Sequence, residues 1–252
     1  KRTYSRRVLW GESEISVRQL IRIENRSSVP SLTKVSFIAQ KLGVSVGRLT
    51  GENLINLPPR YVELKYQLLH SQTFRDEQRF QEREDYLDEI LNKYYDLLPE
   101  EEQLVVDCLQ ALLDTTASRE IHFGSEIVQE YFPQVIEKSY YTENDLVLLT
   151  LYLNCLVLSG VDSEFYHMET YRKIFQNLVD FEEHVSINNL YLVNKIYPKL
   201  FGISQDLGRF DDLESLLSAG NRIMKATNDF QQLPILNLMA WKHQLYHIND
   251  LQ

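Results

Sequence analysis

From residue 59 onward, apolar side chains recur at intervals of three and four, the period of amphipathic helices, and no stretch alternates with the two-residue period of a half-buried strand. The periodicity predicts helices over 59–70, 75–97, 99–116, 125–138, 143–159, 163–180, 187–201, 209–226 and 233–247. Pro59 and Pro99 fall at helix starts, where the missing N–H costs nothing because the first-turn amides have no intrahelical partner. Nearer the N-terminus, Ser16 is placed to cap a helix through VRQLIRIENR, with Val17, Leu20 and Ile21 on one face and Arg18, Gln19, Arg22 and Asn25 on the other. Ser31, after Pro30, caps a second helix whose Leu32, Val35, Ile38, Ala39 and Leu42 face inward and which Gly43 ends. Tyr4 to Trp10 read as a helix before the turn GESEI, and Val44 to Leu49 as a further helical turn.

Composition sharpens this to an all-α fold. The 252 residues include only 9 Gly and 7 Pro, about half the average share, which disfavours folds built on many tight turns. With 44% apolar residues the chain can bury a sizeable core, so it is expected to be globular. Cys108 and Cys155 each lie inside an apolar run, as small core side chains in a reducing compartment do. The longest apolar stretch, Leu146 to Leu158, is interrupted by Thr150 and Asn154 and is shorter than the roughly 20 residues of a membrane span. No signal peptide is visible, and the reading is a cytoplasmic protein without membrane contact. Because Lys1 is not a Met, the chain is read as a fragment whose start is missing.

The net charge of −10 conceals a division. Residues 1–52 carry ten Lys or Arg against four Asp or Glu; the rest carry 16 against 32. A basic helical segment is the electrostatic footprint of phosphate contacts, whereas an acidic helical body repels a duplex, so the two parts serve different partners. Glu24, Pro30, Ile38, Ala39, Leu42, Gly43 and Val44 then match the pattern of Cro and phage-repressor helix-turn-helix domains, which this segment resembles. In that geometry residues near the start of the reader helix meet base edges, and Arg to guanine and Gln to adenine are the favoured pairs. Arg18, Gln19 and Arg22 are the candidates for base readout; Ser16, Arg26 and Lys34 are the candidates for phosphate contacts that set register.

A more particular resemblance runs through SVRQLIRIENRSSVPSL, the linker NLPPRYVELKYQLL and YYDLLPEEEQ. It is to the ComR-type streptococcal competence regulators, within the Rgg-like, RRNPP family of peptide-sensing transcription factors. The likeness covers most of the chain and is dense up to about residue 105. It implies a helix-turn-helix domain over 1–52 with its first helix incomplete or missing, a linker helix over 53–72, and a tetratricopeptide-like (TPR-like) peptide-binding domain over 73–252, with final helices missing beyond Gln252. The body itself points the same way. Predicted helix starts near 125, 163 and 209 recur at about 40 residues, the two-helix period of solenoid repeats, and GRFDDLESLLSAGNRIMKA resembles the first helix of a TPR unit. Degenerate repeats of this kind stack into a curved array whose groove binds extended peptides.

Arg75, Arg79 and Arg83 form a basic row at i, i+4 and i+8 in an otherwise acidic body, suited either to a peptide carboxylate or to intrahelical pairing with Glu77, Glu82 and Glu84. Asn154, Asn189, Asn194 and Asn237 lie within apolar helices, where an amide can both donate to and accept from a peptide backbone or simply serve helix packing. With Thr73 these make up the candidate peptide site. The resemblance implies that a short hydrophobic peptide, made outside and imported, enters the repeat domain and licenses binding to double-stranded promoter DNA, with a homodimer when peptide is bound. In some members the repeat domain holds the reader helix in check, and Glu100 paired with Arg22 is the candidate autoinhibitory contact. Acidic residues at a helix start also complement the helix dipole, which is the plainer reading of Glu100, Glu101 and Glu102. The alternative function is a non-catalytic scaffold or anti-regulator that grips a protein partner.

Catalysis is not expected, and neither is a cofactor or a metal. His243 and His247 have the i, i+4 spacing of zinc proteases, but Gln244 stands where the general-base Glu belongs. Neither G-x-S-x-G nor G-x-x-x-x-G-K occurs.

Overall fold

The computed structural model describes Ile15, Gln19, Arg22, Ile23, residues 28–42, Val46, 57–71, Thr73 and 76–250, with backbone alone for Gln40, Leu42 and 246–250. Among these residues the secondary structure is helical, apart from an isolated bridge between Tyr141 and Val185. The ten principal helices are α1 (Leu32–Leu42), α2 (Pro59–His70), α3 (Glu77–Lys93), α4 (Glu100–Ser118), α5 (His122–Ile136), α6 (Glu143–Ser159), α7 (Met168–Val179), α8 (Leu190–Asp206), α9 (Phe210–Thr227) and α10 (Leu233–Asp250). Two compact units divide the chain, residues 1–107 and 108–252.

In the first unit, the Ser31 hydroxyl accepts the Lys34 amide at 3.3 Å at the head of α1. Helix α2 buries Tyr61, Leu64, Lys65, Leu68 and Leu69, one face at i, i+3, i+4, i+7 and i+8, and packs against α3. Asp76 caps α3 by accepting the Arg79 amide at 2.9 Å. The helical pattern expected through residue 97 breaks at Lys93: a 3₁₀ turn, Tyr95–Leu97, intervenes, and its Tyr95 carbonyl accepts the Gln103 side-chain amide at 2.9 Å.

The second unit stacks its helices in pairs beginning at His122, Met168 and Phe210. Helices α5, α7 and α9 form one row; α6, α8 and α10 form the other, with α6 against α8 and α8 against α10. Helix α6 is apolar almost all round and begins with a capping box, the Thr142 hydroxyl accepting the Asp145 amide while the Asp145 carboxylate accepts the Thr142 amide at 2.9 Å. The same carboxylate takes the Lys138 amine at 2.6 Å. Gly124 lets α5 close on α6, because a Cβ there would sit 2.8 Å from Leu151 Cδ1 and 3.2 Å from Cys155 Sγ. The start expected at residue 163 moves to Met168, since residues 161–167 turn inward: Phe165 is buried and its carbonyl accepts the Tyr152 hydroxyl at 3.0 Å.

Burial sets an alkaline limit on this unit. It pushes the Cys155 thiol up to about 11 and the Tyr152 phenol to about 12, and raises Tyr171 and Tyr197 further, each dominated by loss of solvent around the charged form. A folded-state value above the unfolded one means stability is complete below the unfolded values, 9.0 for the thiol and 10.0 for the phenol, and is lost as pH rises through the folded values. Thermal melts stepped upward from about pH 8 are therefore expected to fall beyond about pH 9; a melting point that holds to about pH 11 contradicts this. Cys108 and Cys155 are both buried thiols, so neither is expected to react with a thiol reagent until the chain unfolds.

Candidate functional site

Three consecutive carboxylates, Glu100, Glu101 and Glu102, occupy the first turn of α4. Successive helical side chains point about 100° apart, so three neighbours cannot serve one partner. Each therefore meets a different segment of the first unit. Glu100 Oε1 accepts from Arg22 Nη1 at 3.0 Å, Glu101 pairs with the Lys34 amine on α1, and Glu102 Oε2 accepts from Tyr61 Oη at 2.6 Å and Lys65 Nζ at 2.8 Å, both on α2. Burial is graded along the three. The Arg22 and Glu100 side chains are 45% and 44% exposed, whereas Lys65 and Glu102 are 11% and 14%. The outer pair is worth at most about 1 kcal/mol. The inner one is structural, because taking Glu102 away strands an ammonium on the buried face of α2, at a cost of about 3–5 kcal/mol.

The sequence reading foresaw Glu100 beside Arg22 but not the other two contacts. Lys65 carried a signal: it falls on the apolar stripe of α2, and a buried lysine needs a carboxylate. Lys34, read as a phosphate contact, has its amine occupied by Glu101. Gln19 is half-buried and helical. Ser16, Arg18, Arg26 and Arg75 lie outside the described residues.

On α3, Arg79 is exposed while Arg83 turns back on α2, its Nη1 donating to the Leu68 carbonyl at 2.7 Å and to the Ser71 hydroxyl at 3.3 Å. A cation at a helix C-terminus satisfies carbonyls that lack an intrahelical donor. Burial lowers the Arg83 pKa without discharging it. Thr73 is half-buried, and its carbonyl accepts the Asp76 amide at 2.8 Å.

In the second unit α6 and α8 differ from the other helices in how they meet solvent. Helices α5, α7 and α9 carry fully exposed outer stripes. Along α6 only Val157 is exposed, and along α8 only Asp206; every other non-buried residue of these two helices is partly shielded. The residues of α6 and α8 that are not buried are therefore shielded by neighbouring elements rather than open to solvent. Thr150, Asn154 and Leu158 form the shielded stripe of α6; Lys195, Lys199 and Gly202 form that of α8. Asn154 Nδ2 donates to Thr115 Oγ1 at 2.9 Å. Asn194 is different: only 3% exposed, it lies beside Gly220 of α9, where an added Cβ would come 3.2 Å from its Oδ1 and 2.9 Å from Leu236 of α10. That buried oxygen has no hydrogen-bond partner, and the site is sealed by helix packing. Asn189 is half-buried in the 3₁₀ turn Ile187–Asn189, and Asn237 is exposed on α10. Among the described residues no group of three or more His, Cys, Asp or Glu is placed to hold a metal, and no helix is long and apolar enough to cross a membrane.

Residues 58–252 match the family model for the ComR tetratricopeptide domain. The chain is similar to ComR from Streptococcus suis, at 31% identity and a TM-score of 0.75 over 97% of this chain and 79% of that one. The apo form of ComR from S. thermophilus matches at 27% identity and 0.74, covering 96% and 82%. The same S. thermophilus protein in complex with DNA and its signalling peptide ComS matches at 27% and 0.67, covering 97% and 82%. No curated protein gives a significant match to this sequence.

Proposed function

The chain belongs to the ComR family, and from that membership we propose that it is a peptide-controlled transcriptional regulator of competence rather than an enzyme. It acts in the cytoplasm. A short hydrophobic peptide binds the repeat domain over 73–252, the basic segment over 1–52 engages promoter DNA as a helix-turn-helix, residues 53–72 link them, and the peptide-bound form dimerises. Arg18, Gln19 and Arg22 read bases, while Ser16, Arg26 and Lys34 hold phosphates. Asn154, half-buried on the shielded stripe of α6, is the first of the peptide-binding candidates; Thr73, Arg75, Arg79, Asn189 and Asn237 extend the set. Arg83 and Asn194 join it only if the peptide draws them from their present packing.

The observation that carries this reading is the engagement of Arg22 and Lys34 by Glu100 and Glu101. Two cations meant for DNA, Arg22 for a base edge and Lys34 for a phosphate, are neutralised by carboxylates, which is what a peptide-free, inhibited state requires. The higher TM-score to the apo form than to the complex of one S. thermophilus protein agrees with it.

A mobility-shift experiment tests the proposal. The full-length protein is titrated onto promoter DNA at several salt concentrations, with and without a hydrophobic peptide. Binding is expected to strengthen with peptide and to weaken as salt rises, with a log–log slope of about −0.9 per phosphate contacted. DNA binding indifferent to every peptide tried overturns the gating.

A further inference from the structure

Among the described residues two polar side chains are 0% exposed, Thr115 on α4 and Ser204 on α8. Ser204 serves the Tyr171 hydroxyl, 2.9 Å away in the core. Thr115 is the odder of the two. Its hydroxyl proton goes back to its own helix, to the Ala111 carbonyl at 2.7 Å, a bond that competes with the backbone ladder and slightly weakens it. A β-branched residue is also a poorer helix former than the alanines and leucines around it. An apolar side chain of the same shape fills such a place at no polar cost, so the hydroxyl contributes only through what it bonds. With its proton committed, Oγ1 has acceptor capacity left, and the donor it meets is Asn154 Nδ2 on α6, at 2.9 Å.

The place of Thr115 in the chain extends the reach of this bond. Helix α4 runs unbroken from Glu100 to Ser118, and no Pro or Gly, the usual cause of a kink, interrupts it. Its first turn carries the carboxylates that hold Arg22 and Lys34. Thr115 lies fifteen residues beyond Glu100, about 22 Å along the axis. The division between the two compact units falls inside this one helix, after Asp107. A straight helix shifts as a rod, so a displacement near Thr115 is felt at the first turn. Asn154, half-buried on α6, is the donor at one end of the bond and the first of the peptide-binding candidates. Its amide turns easily about the last side-chain torsion, which is broad for Asn, and a hydrogen bond weakens steeply once its donor swings out of line.

Resting on the peptide-receptor reading above, we propose that Thr115 is a positioning residue for the peptide response: it holds the Asn154 amide in the peptide-free state, and a bound peptide takes that amide from it. While the bond stands, α4 is tied to α6 near its C-terminal end, and its first-turn carboxylates occupy Arg22 and Lys34. A peptide whose backbone pairs with Asn154 turns the amide away from Oγ1 and releases the tie. Bond and peptide are alternatives, so the bond favours the inhibited state by as much as the peptide must overcome. One neutral hydrogen bond is exchanged, which sets the effect at about two- to tenfold.

The test uses the full-length protein, promoter DNA and synthetic apolar octapeptides. Wild type, Thr115→Val, Thr115→Ser, Asn154→Ala and the double variant Thr115→Val with Asn154→Ala are compared by mobility shift with and without peptide, by fluorescence titration of peptide, and by thermal melts. Thr115→Val keeps the shape and removes the acceptor. It is expected to raise peptide-free DNA affinity about two- to tenfold, to leave peptide-bound affinity unchanged, and so to shrink the gain from peptide by the same factor. By linkage it is also expected to bind peptide tighter by that factor, since no bond has to be surrendered. Thr115→Ser restores the hydroxyl and with it the wild-type response. Asn154→Ala, which removes the donor, is expected to raise peptide-free DNA affinity as Thr115→Val does, and the double variant no further. A purely structural contact moves the melting point alone. If Thr115→Val and Asn154→Ala keep wild-type peptide-free DNA affinity while wild type still responds to peptide, the role of Thr115 is overturned and the receptor reading stands. A wild type whose DNA binding responds to none of the octapeptides overturns both.

Discussion

Replacing Glu100 and Glu101 together by Gln is expected to raise peptide-free DNA affinity about tenfold, and Glu100→Ala alone about two- to fivefold. The outer pair is nearly half exposed, so its rupture yields no more than about 1 kcal/mol. The Lys34–Glu101 pair is better shielded and adds to it. Once released, Lys34 can displace a counterion from the duplex, so the double variant is also expected to steepen the salt dependence by about one unit of log–log slope. Glu102→Gln serves as the contrast. It disturbs the Tyr61 and Lys65 contacts in the interior of the first unit, and is expected to lower the melting point without a comparable gain in DNA binding. Mobility shifts at two salt concentrations, with a thermal melt of each variant, measure all of this. Unchanged DNA binding by the double variant would remove the latch.

Truncating Leu153 to Ala is expected to destabilise the second unit by about 2–5 kcal/mol. Leu153 is fully buried in α6, a helix with ten buried residues and neighbours on both sides, α5 and α8, so the cavity has little room to collapse. The melting point is expected to drop by roughly 2–4 °C for each kcal/mol. Leu158→Ala, on the shielded stripe of the same helix, is expected to cost much less. A Leu153→Ala chain that melts within about a degree of wild type would mean that α6 is not the core element described.

Helix number and position were largely legible along the chain, since a 3.6-residue period repeated over a dozen or more positions admits few alternatives. Helices α2 and α6 have the residue ranges expected, and Thr142 and Asp145 spell out a capping box. The misplacements occurred where a local signal was overridden by packing. Phe165 reads as the start of α7 but is drawn into the core under the Tyr152 hydroxyl, delaying the helix to Met168. The same limit applied to the site. Arg83 looked like a ligand cation because only its own helix is visible in the sequence; the Leu68 carbonyl that holds it is fifteen residues away. Asn154 and Asn194 are alike by sequence, both amides inside apolar helices, yet one is half-buried and bonded to Thr115 while the other is buried against Gly220.

Composition and periodicity by themselves determined that this protein is all-helical, that its basic charge is concentrated ahead of an acidic repeat body, and that carboxylates crowd the start of α4. These depend on residue type and local spacing, which a chain carries before it folds. Tertiary structure alone decided which cation each of those carboxylates meets and which helices are shielded by their neighbours rather than facing open solvent. Such facts depend on the approach of segments distant in sequence, where a rotation of one helix by a single residue exchanges a buried partner for water.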